Sequence, residues 1–156
     1  CIKHSLFIFS SQIENKNLSI NYNFEDNKDL KVFVDDVTFK NQVLSNIISN
    51  SIKFSDENGS IDILIEREKE CIFLSINDHG IGMPKHLLDN IFIEGRATSR
   101  KGTKGERGTG YGMIIIKAFI EAFGGSIQVT SSERQDSQSD SGTQITMKLL
   151  TTEPSK

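Results

Sequence analysis

Asn46, Asn50 and Lys53 are spaced i, i+4, i+7, so in a helix turning about 100° per residue two amides and an ammonium fall on one polar stripe. An amide oxygen is a neutral, hard ligand of the kind Mg²⁺ accepts, because that ion keeps most of its waters and takes few protein ligands beside phosphate oxygens. Lys53 would add a point charge for a phosphate. Taken alone, the stripe also reads as the solvated flank of a helix.

A second group follows an alternating apolar stretch. Asp78-His79-Gly80-Ile81-Gly82-Met83-Pro84 puts an acid at a strand terminus and then two glycines one residue apart. Glycines there would let a flat ligand approach the backbone closely, and a carboxylate can accept a hydrogen bond from an exocyclic amine such as that of adenine. An ordinary strand-to-helix turn would look the same. The third group, Gly105-Glu106-Arg107-Gly108-Thr109-Gly110-Tyr111-Gly112, opens a helix, where bare backbone N–H groups and the helix dipole favour phosphate. By itself it is also compatible with a flexible linker. No GxxxxGK[ST] run occurs, and neither glycine cluster lies in the βαβ setting that a dinucleotide fingerprint requires.

These groups need a scaffold, and its outline is legible. Residues 4–15 carry Leu6, Phe7, Ile8 and Ile13 at a spacing compatible with a short helix. Residues 18–24 alternate apolar and polar, and residues 31–34 make a second short apolar run, so two strands are expected. Asp35 or Asp36 can cap a helix in which Val37, Val43, Leu44, Ile47, Ile48 and Ile52 recur until residues 56–59 stop it. Ile61, Ile63 and Ile65, then Ile72, Leu74 and Ile76, predict an antiparallel pair running into Asp78. Pro84 opens a helix carrying Leu87, Leu88, Ile91 and Phe92. Residues 96–112 hold five Gly and five Lys or Arg without hydrophobic period, a long loop of functional or mobile type. A helix from about 110 to 123 ends at Gly124 and Gly125, and strands at 126–131 and 144–150 flank a polar, floppy hairpin loop at 133–141. The grouping predicts an α+β domain, a two-layer α/β sandwich with one mixed, mostly antiparallel sheet and helices on one face.

Composition excludes several classes. The 156 residues fit one domain with a real core, and 36% hydrophobic with 25% charged residues is ordinary for a globular protein. A net charge of −3 disfavours nucleic acid as partner, since polyanion binding needs dense Lys and Arg. Cys1 and Cys71 lie outside any zinc or disulfide spacing, which fits a reducing, cytoplasmic setting. No apolar run reaches the roughly 20 residues that span a bilayer, so no direct membrane contact is expected of this segment, although a parent anchored in the inner membrane is compatible. The start at Cys1 without Met reads as a segment cut from a longer chain.

The three groups in this order resemble the ATPase family shared by gyrase, heat-shock chaperones, histidine kinases and MutL, whose ATP site is the Bergerat fold. NIISNSIKF at 46–54 is similar to its N box, DHGIG at 78–82 to its first glycine box, Phe92 to its F box, and GTGYG at 108–112 to its second glycine box, a likeness spanning about 35–150. The resemblance implies ATP and Mg²⁺ as cofactors, with Asn50 the metal ligand, Asn46 beside it and Lys53 at the phosphates. It implies Phe54 near the nucleoside and Asp78 on the adenine amine. Gly80, Gly82, Met83, Phe92, Gly108, Thr109, Gly110, Tyr111 and Gly112 would complete the nucleotide site, under a lid at about 94–109. Tyr111 and Met113 stand where Leu is more usual, and the lid is richer in Gly and Lys than expected.

Hydrolysing members carry Glu at position 46 as the general base, whereas Asn46 accepts no proton at neutral pH. A sensor histidine kinase catalytic domain is therefore implied, holding ATP without spending it on water. Its partners would be a histidine-containing dimerisation domain, on the same or a paired chain, and a downstream response regulator. His4 is followed by Ser5 and Leu6 and lacks the acidic neighbour of a phosphoacceptor, and His79 and His86 read as turn and surface residues. Arg96, Arg100, Lys101, Lys104 and Arg107 are either solvated or donors to the γ-phosphate. The rival readings are a nucleotide-binding regulatory module without kinase activity and an anti-sigma-type serine kinase or chaperone-like ATPase.

Overall fold

A computed structural model describes residues 1–24, 30–94, 100–106, 110–135 and 140–153. Two short helices, α1 (Ile2–Ile8) and α2 (Ser10–Asn15), take the place of the single N-terminal helix expected, with the break at Phe9. β1 (Ser19–Tyr22) follows. Then come α3 (Asp36–Thr38), a π-helical stretch (Phe39–Leu44) and α4 (Ser45–Phe54). β2 (Ser60–Glu68) and β3 (Cys71–Asp78) form the expected antiparallel pair. Short α5 (Lys85–Leu88), then α6 (Gly112–Ala122), β4 (Ser126–Ser132) and β5 (Gly142–Leu150) complete the chain.

The five strands lie in the order β1-β2-β3-β5-β4. Only β1 and β2 run parallel, joined through α3 and α4, and the remaining pairs are antiparallel. This is the mixed, mostly antiparallel sheet expected. Alternation decides its inner face: Ile61 and Ile63 of β2, Leu74 and Ile76 of β3, and Ile145, Met147 and Leu149 of β5 are buried. They pack in one cluster with Ile47, Ile48 and Ile52 of α4 and with Met113, Ile116 and Ile120 of α6. The outer face is polar, as in the Ser75–Thr146 hydroxyl pair 3.0 Å apart.

Four departures from the sequence reading have local causes. Residues 31–34 form no strand: Phe33 N–H donates to Leu150 O at 2.7 Å, one bond where a ladder needs several. Asp35 does cap, its carboxylate accepting from Thr38 N–H at 2.7 Å, but Val37 is 64% exposed and Phe39 takes the inward place at 3%. The Ser45 hydroxyl donates to Lys40 O and the Asn46 amide to Gln42 O. Such back-bonding competes with the α-helical ladder, and the wide turns that result rotate Val37 off the face held by Val43 and Leu44. α5 stops at Leu88, so Ile91 and Phe92 lie in turns beyond it, and Pro84 is its extended N-cap residue. At 133–141 the described residues are tethered: Arg134 N–H donates to Ile81 O at 3.0 Å, and its guanidinium pairs with Asp56 at 2.6 Å.

Ile47 is fully buried at the contact of α4 with the sheet. Ile47→Ala should lower stability by about 2–5 kcal/mol through lost transfer energy and the cavity left behind, read as a shift of the urea midpoint at unchanged slope.

Candidate functional site

α4 ends by leaving its last carbonyls without helical partners, and the segments that satisfy them are those the sequence singled out. Phe54 O accepts from Ile81 N–H at 3.0 Å, and Lys53 O from Thr103 N–H at 3.0 Å. The loop after Asp78 and part of the basic loop are thereby seated against the end of the asparagine helix. Between them lies a cavity of about 240 Å³ lined by Asn46, Asn50, Lys53, Phe54, Asp78, Gly82, Met83, Arg100, Gly110 and Gly112, among others. Nine of the expected site residues, spread over three separate segments, thus converge on one space.

The cavity lining carries charges of both signs. Asp78 is 4% exposed at the end of β3. Its Oδ1 accepts from Gly80 N–H at 3.2 Å and from Thr143 N–H at 3.3 Å, which leaves Oδ2 for a ligand donor. Burial pushes its carboxyl up to about 6, against the opposing pull of the two N–H donors and of His79. Thr143 stands opposite Asp78 in the β3–β5 register, a role invisible without knowing which strands pair. Of the cations, the Lys53 ammonium lies 4.9 Å and the Arg100 guanidinium 5.9 Å from the centre of the Phe54 ring. Partial desolvation holds the Lys53 ammonium below its usual range, with Glu106 pulling the other way. Arg100 also donates to Gly82 O, spanning the two walls. It is the described lid cation that faces the cavity, whereas Lys104 pairs with Glu57.

The amide stripe meets the start of α6. A Cβ on Gly112 would lie 3.8 Å from Asn46 Oδ1 and 4.0 Å from Asn50 Nδ2. Tyr111, the N-cap residue, gives that helix no side-chain cap. Asn46 is anchored through its Nδ2 to Gln42 O. Among the described residues the Asn50 amide has no partner, and no group of three His, Cys, Asp or Glu side chains could hold a metal. One free neutral amide fits Mg²⁺ that is carried chiefly by phosphate and water.

Several expected residues sit elsewhere. Phe92 packs on the core edge with Lys117 5.3 Å from its ring centre, and Tyr111 is 47% exposed; neither lines the cavity. Gly108, Thr109, Arg96 and Arg107 lie outside the described residues. Gly80 and Gly82 are required by the chain's own backbone: a Cβ would stand 2.1 Å from Phe54 O at Gly80, and 1.7 Å from Ser132 O at Gly82. Ser49, Met113 and Ile145 also line the cavity and carried no motif.

A family model described as histidine kinase-, DNA gyrase B-, and HSP90-like ATPase matches residues 35–153. The chain belongs to this ATPase family. Sensor histidine kinase WalK of Bacillus subtilis is 37% identical over 110 residues, 69% of this chain and 17% of that protein. Circadian input-output histidine kinase CikA of Synechococcus elongatus is 30% identical over 111 residues, 71% of this chain and 15% of that protein. This ATPase domain therefore spans under a fifth of the length of these curated relatives. The solved catalytic domain of histidine kinase ThkA superposes with a TM-score of 0.75 at 27% identity, covering 96% of this chain and 90% of that one. A structure of ThkA in complex with response regulator protein TrrA superposes at 0.71 and 25% identity, covering 99% of this chain and 40% of that one. The likeness to histidine kinase catalytic domains extends over almost the whole chain, and among the described residues no helix is long and apolar enough to cross a membrane.

The raised carboxyl of Asp78 has a consequence for stability. Its folded value of about 6 exceeds the unfolded 3.8, so folding takes up a proton between them and stability falls as pH rises from about 4 to about 6. Asp78→Asn removes that penalty. The variant should be more stable than the parent by as much as about 3 kcal/mol at pH 7, with the difference closing by pH 4 in parallel urea melts.

Proposed function

We propose that the cavity binds Mg·ATP and that the domain donates the γ-phosphoryl group to a histidine nitrogen on a separate dimerisation domain, from which a response regulator is charged. The convergence of Asn50, Lys53 and buried Asp78 on one space carries the reading. Asp78 Oδ2 accepts the adenine amine in a pocket from which water is largely excluded. Phe54 and Met83 flank the nucleoside. Gly110 and Gly112 bring the start of α6 to the phosphates, where helix N–H groups and dipole favour anions.

Asn50 would hold the metal, which would supply charge neutralisation at the phosphate oxygens. Lys53 and Arg100, two cations sharing one ring in this structure, leave Phe54 for the phosphate chain as point-charge and forked donors respectively. The P–O bond to ADP breaks as the P–N bond to imidazole forms, a step in which positioning and charge neutralisation do most of the catalysis. Asn46 is the residue that separates transfer from hydrolysis. Its amide accepts no proton, so an attacking water gains no general base. We take residues 1–156 as one catalytic unit with its lid at about 94–109, acting in the reducing cytoplasm where ATP is available.

Calorimetric titration with ATP, with and without Mg²⁺, tests the assignment. Asp78→Asn should weaken binding by about 1–3 kcal/mol through loss of a buried acceptor, although the same change stabilises the empty fold. Equal affinity in both proteins would refute the adenine assignment. Labelled phosphate should pass to an added dimerisation domain as acid-labile phosphohistidine, and tight binding without any such transfer would leave a nucleotide-gated module instead.

A further inference from the structure

Lys16 is absent from every motif, and it is 4% exposed. A buried ammonium is retained only where it is thoroughly hydrogen-bonded and paired. Its Nζ donates to Ile52 O at 2.8 Å, Lys53 O at 3.1 Å and Ser55 O at 3.2 Å, three carbonyls at the end of α4. Thr103 Oγ1 at 2.7 Å and Glu106 Oε1 at 3.2 Å, both in the lid, surround the same Nζ, whose three N–H groups are shared among these five oxygens. A lysine near a helix C-terminus commonly bonds one or two last carbonyls. Here it also holds two side chains from a segment almost ninety residues away.

The lid segment it holds is a closed knot. Gly102 N–H donates to Glu106 O at 2.9 Å and Gly105 N–H to Gly102 O at 2.9 Å. Thr103 adds its own N–H to Lys53 O and its hydroxyl to Ser55 O at 2.8 Å. A Cβ on Gly102 would stand 2.4 Å from Glu106 Oε2 and 2.5 Å from Lys53 Cγ, so the knot sits flush on α4. From α2 the seat is extended by Lys104, whose Nζ donates to Asn15 O at 3.3 Å. Arg100, two residues before the knot, and Gly110, four after it, both line the cavity. The adenine end, with Asp78, is held by different contacts, those of Gly80 and Thr143.

We propose that Lys16 is a positioning residue for the phosphates: its buried ammonium pins residues 102–106 of the lid to the end of α4 and so sets affinity for phosphate-bearing ligands. The proposal rests on the nucleotide reading above and adds a residue and a coupling to it. Because Lys16 directly follows α2, the N-terminal helical pair becomes part of the seat of the lid, and a displacement of α2 is felt at the phosphate end of the cavity.

The test uses the whole chain, as parent and as Lys16→Met, titrated with Mg·ATP and with adenosine, while amide hydrogen exchange is followed at residues 102–106. Lys16→Met should bind ATP at least tenfold more weakly, bind adenosine within twofold of the parent, and exchange faster at 103–106. Unchanged ATP affinity, or ATP and adenosine weakening together, overturns the proposal, the latter because a merely structural lysine would disturb both ends alike. Should Lys16→Met fail to fold, Thr103→Val removes the lid's side of the knot and leaves the ammonium its carbonyls; the same split between ATP and adenosine is expected. A parent that binds no ATP defeats the nucleotide reading itself, whereas a parent that binds ATP with no split in either variant defeats only the role of Lys16.

Discussion

The unpaired carbonyls at the end of α4 are the constraint on which the site depends. An α-helix leaves its last carbonyls without partners, and buried ones must find donors elsewhere. Here the donors come from three distant parts of the chain: Lys16 after α2, Thr103 of the lid and Ile81 of the loop after β3. Satisfying one helix end therefore draws together the walls of a cavity around the amide stripe that the same helix carries. The fold closes the site as a by-product of a hydrogen-bonding requirement that would exist with or without a ligand.

Electrostatics then divide the cavity. Asp78 is placed where burial works against its charge, and Lys53 where partial burial works against its own. Neither finds the other as a salt-bridge partner among the described residues. Opposite charges that direct pairing would neutralise are kept apart, each facing the cavity. The protein thus carries an unfavourable arrangement, one that a donor at Asp78 and anionic oxygens at Lys53 would relieve. The stabilisation expected of Asp78→Asn in the empty protein and the weaker binding expected of the same change have this single origin.

What could be read from sequence follows from the range of the interaction involved. The strand pair ending at Asp78, the helix bearing Asn46 and Asn50, and the glycine stop of α6 depend on neighbours within a few residues, so periodicity and capping reveal them. Val37 misled because the π-helical turns, set by Ser45 and Asn46 bonding back to Lys40 and Gln42, change the phase of an otherwise regular helix. Residues 31–34 have the apolar content of a strand but only Phe33 reaches the edge of β5. Gly80 and Gly82 stood out in the sequence, yet the reason the fold shows for them is Phe54 O and Ser132 O, atoms whose proximity depends on tertiary packing. Lys16, Thr143 and Arg134 were missed altogether, since a lysine in a polar run, a threonine on a strand and an arginine in a loop are ordinary until the pairing across the fold is known.

Arg134 shows how such residues extend the same logic to the Asp78 side of the cavity. Its guanidinium joins Asp56, in the turn after α4, to Gly80 O at 3.3 Å, while Ser141 donates to the same carbonyl at 2.7 Å. Gly80 N–H in turn donates to Asp78. The loop that orients the buried carboxylate is therefore held from both sides, by the end of α4 through Ile81 and by the root of the β4–β5 hairpin through Arg134 and Ser141. One wall of the cavity is thus held by a guanidinium on the Gly80 carbonyl and the Asp56 carboxylate, and another by an ammonium on the carbonyls that end α4. In both, a cation that does not line the cavity sets the position of backbone that borders it, which separates the residues that face the space from those that hold its geometry.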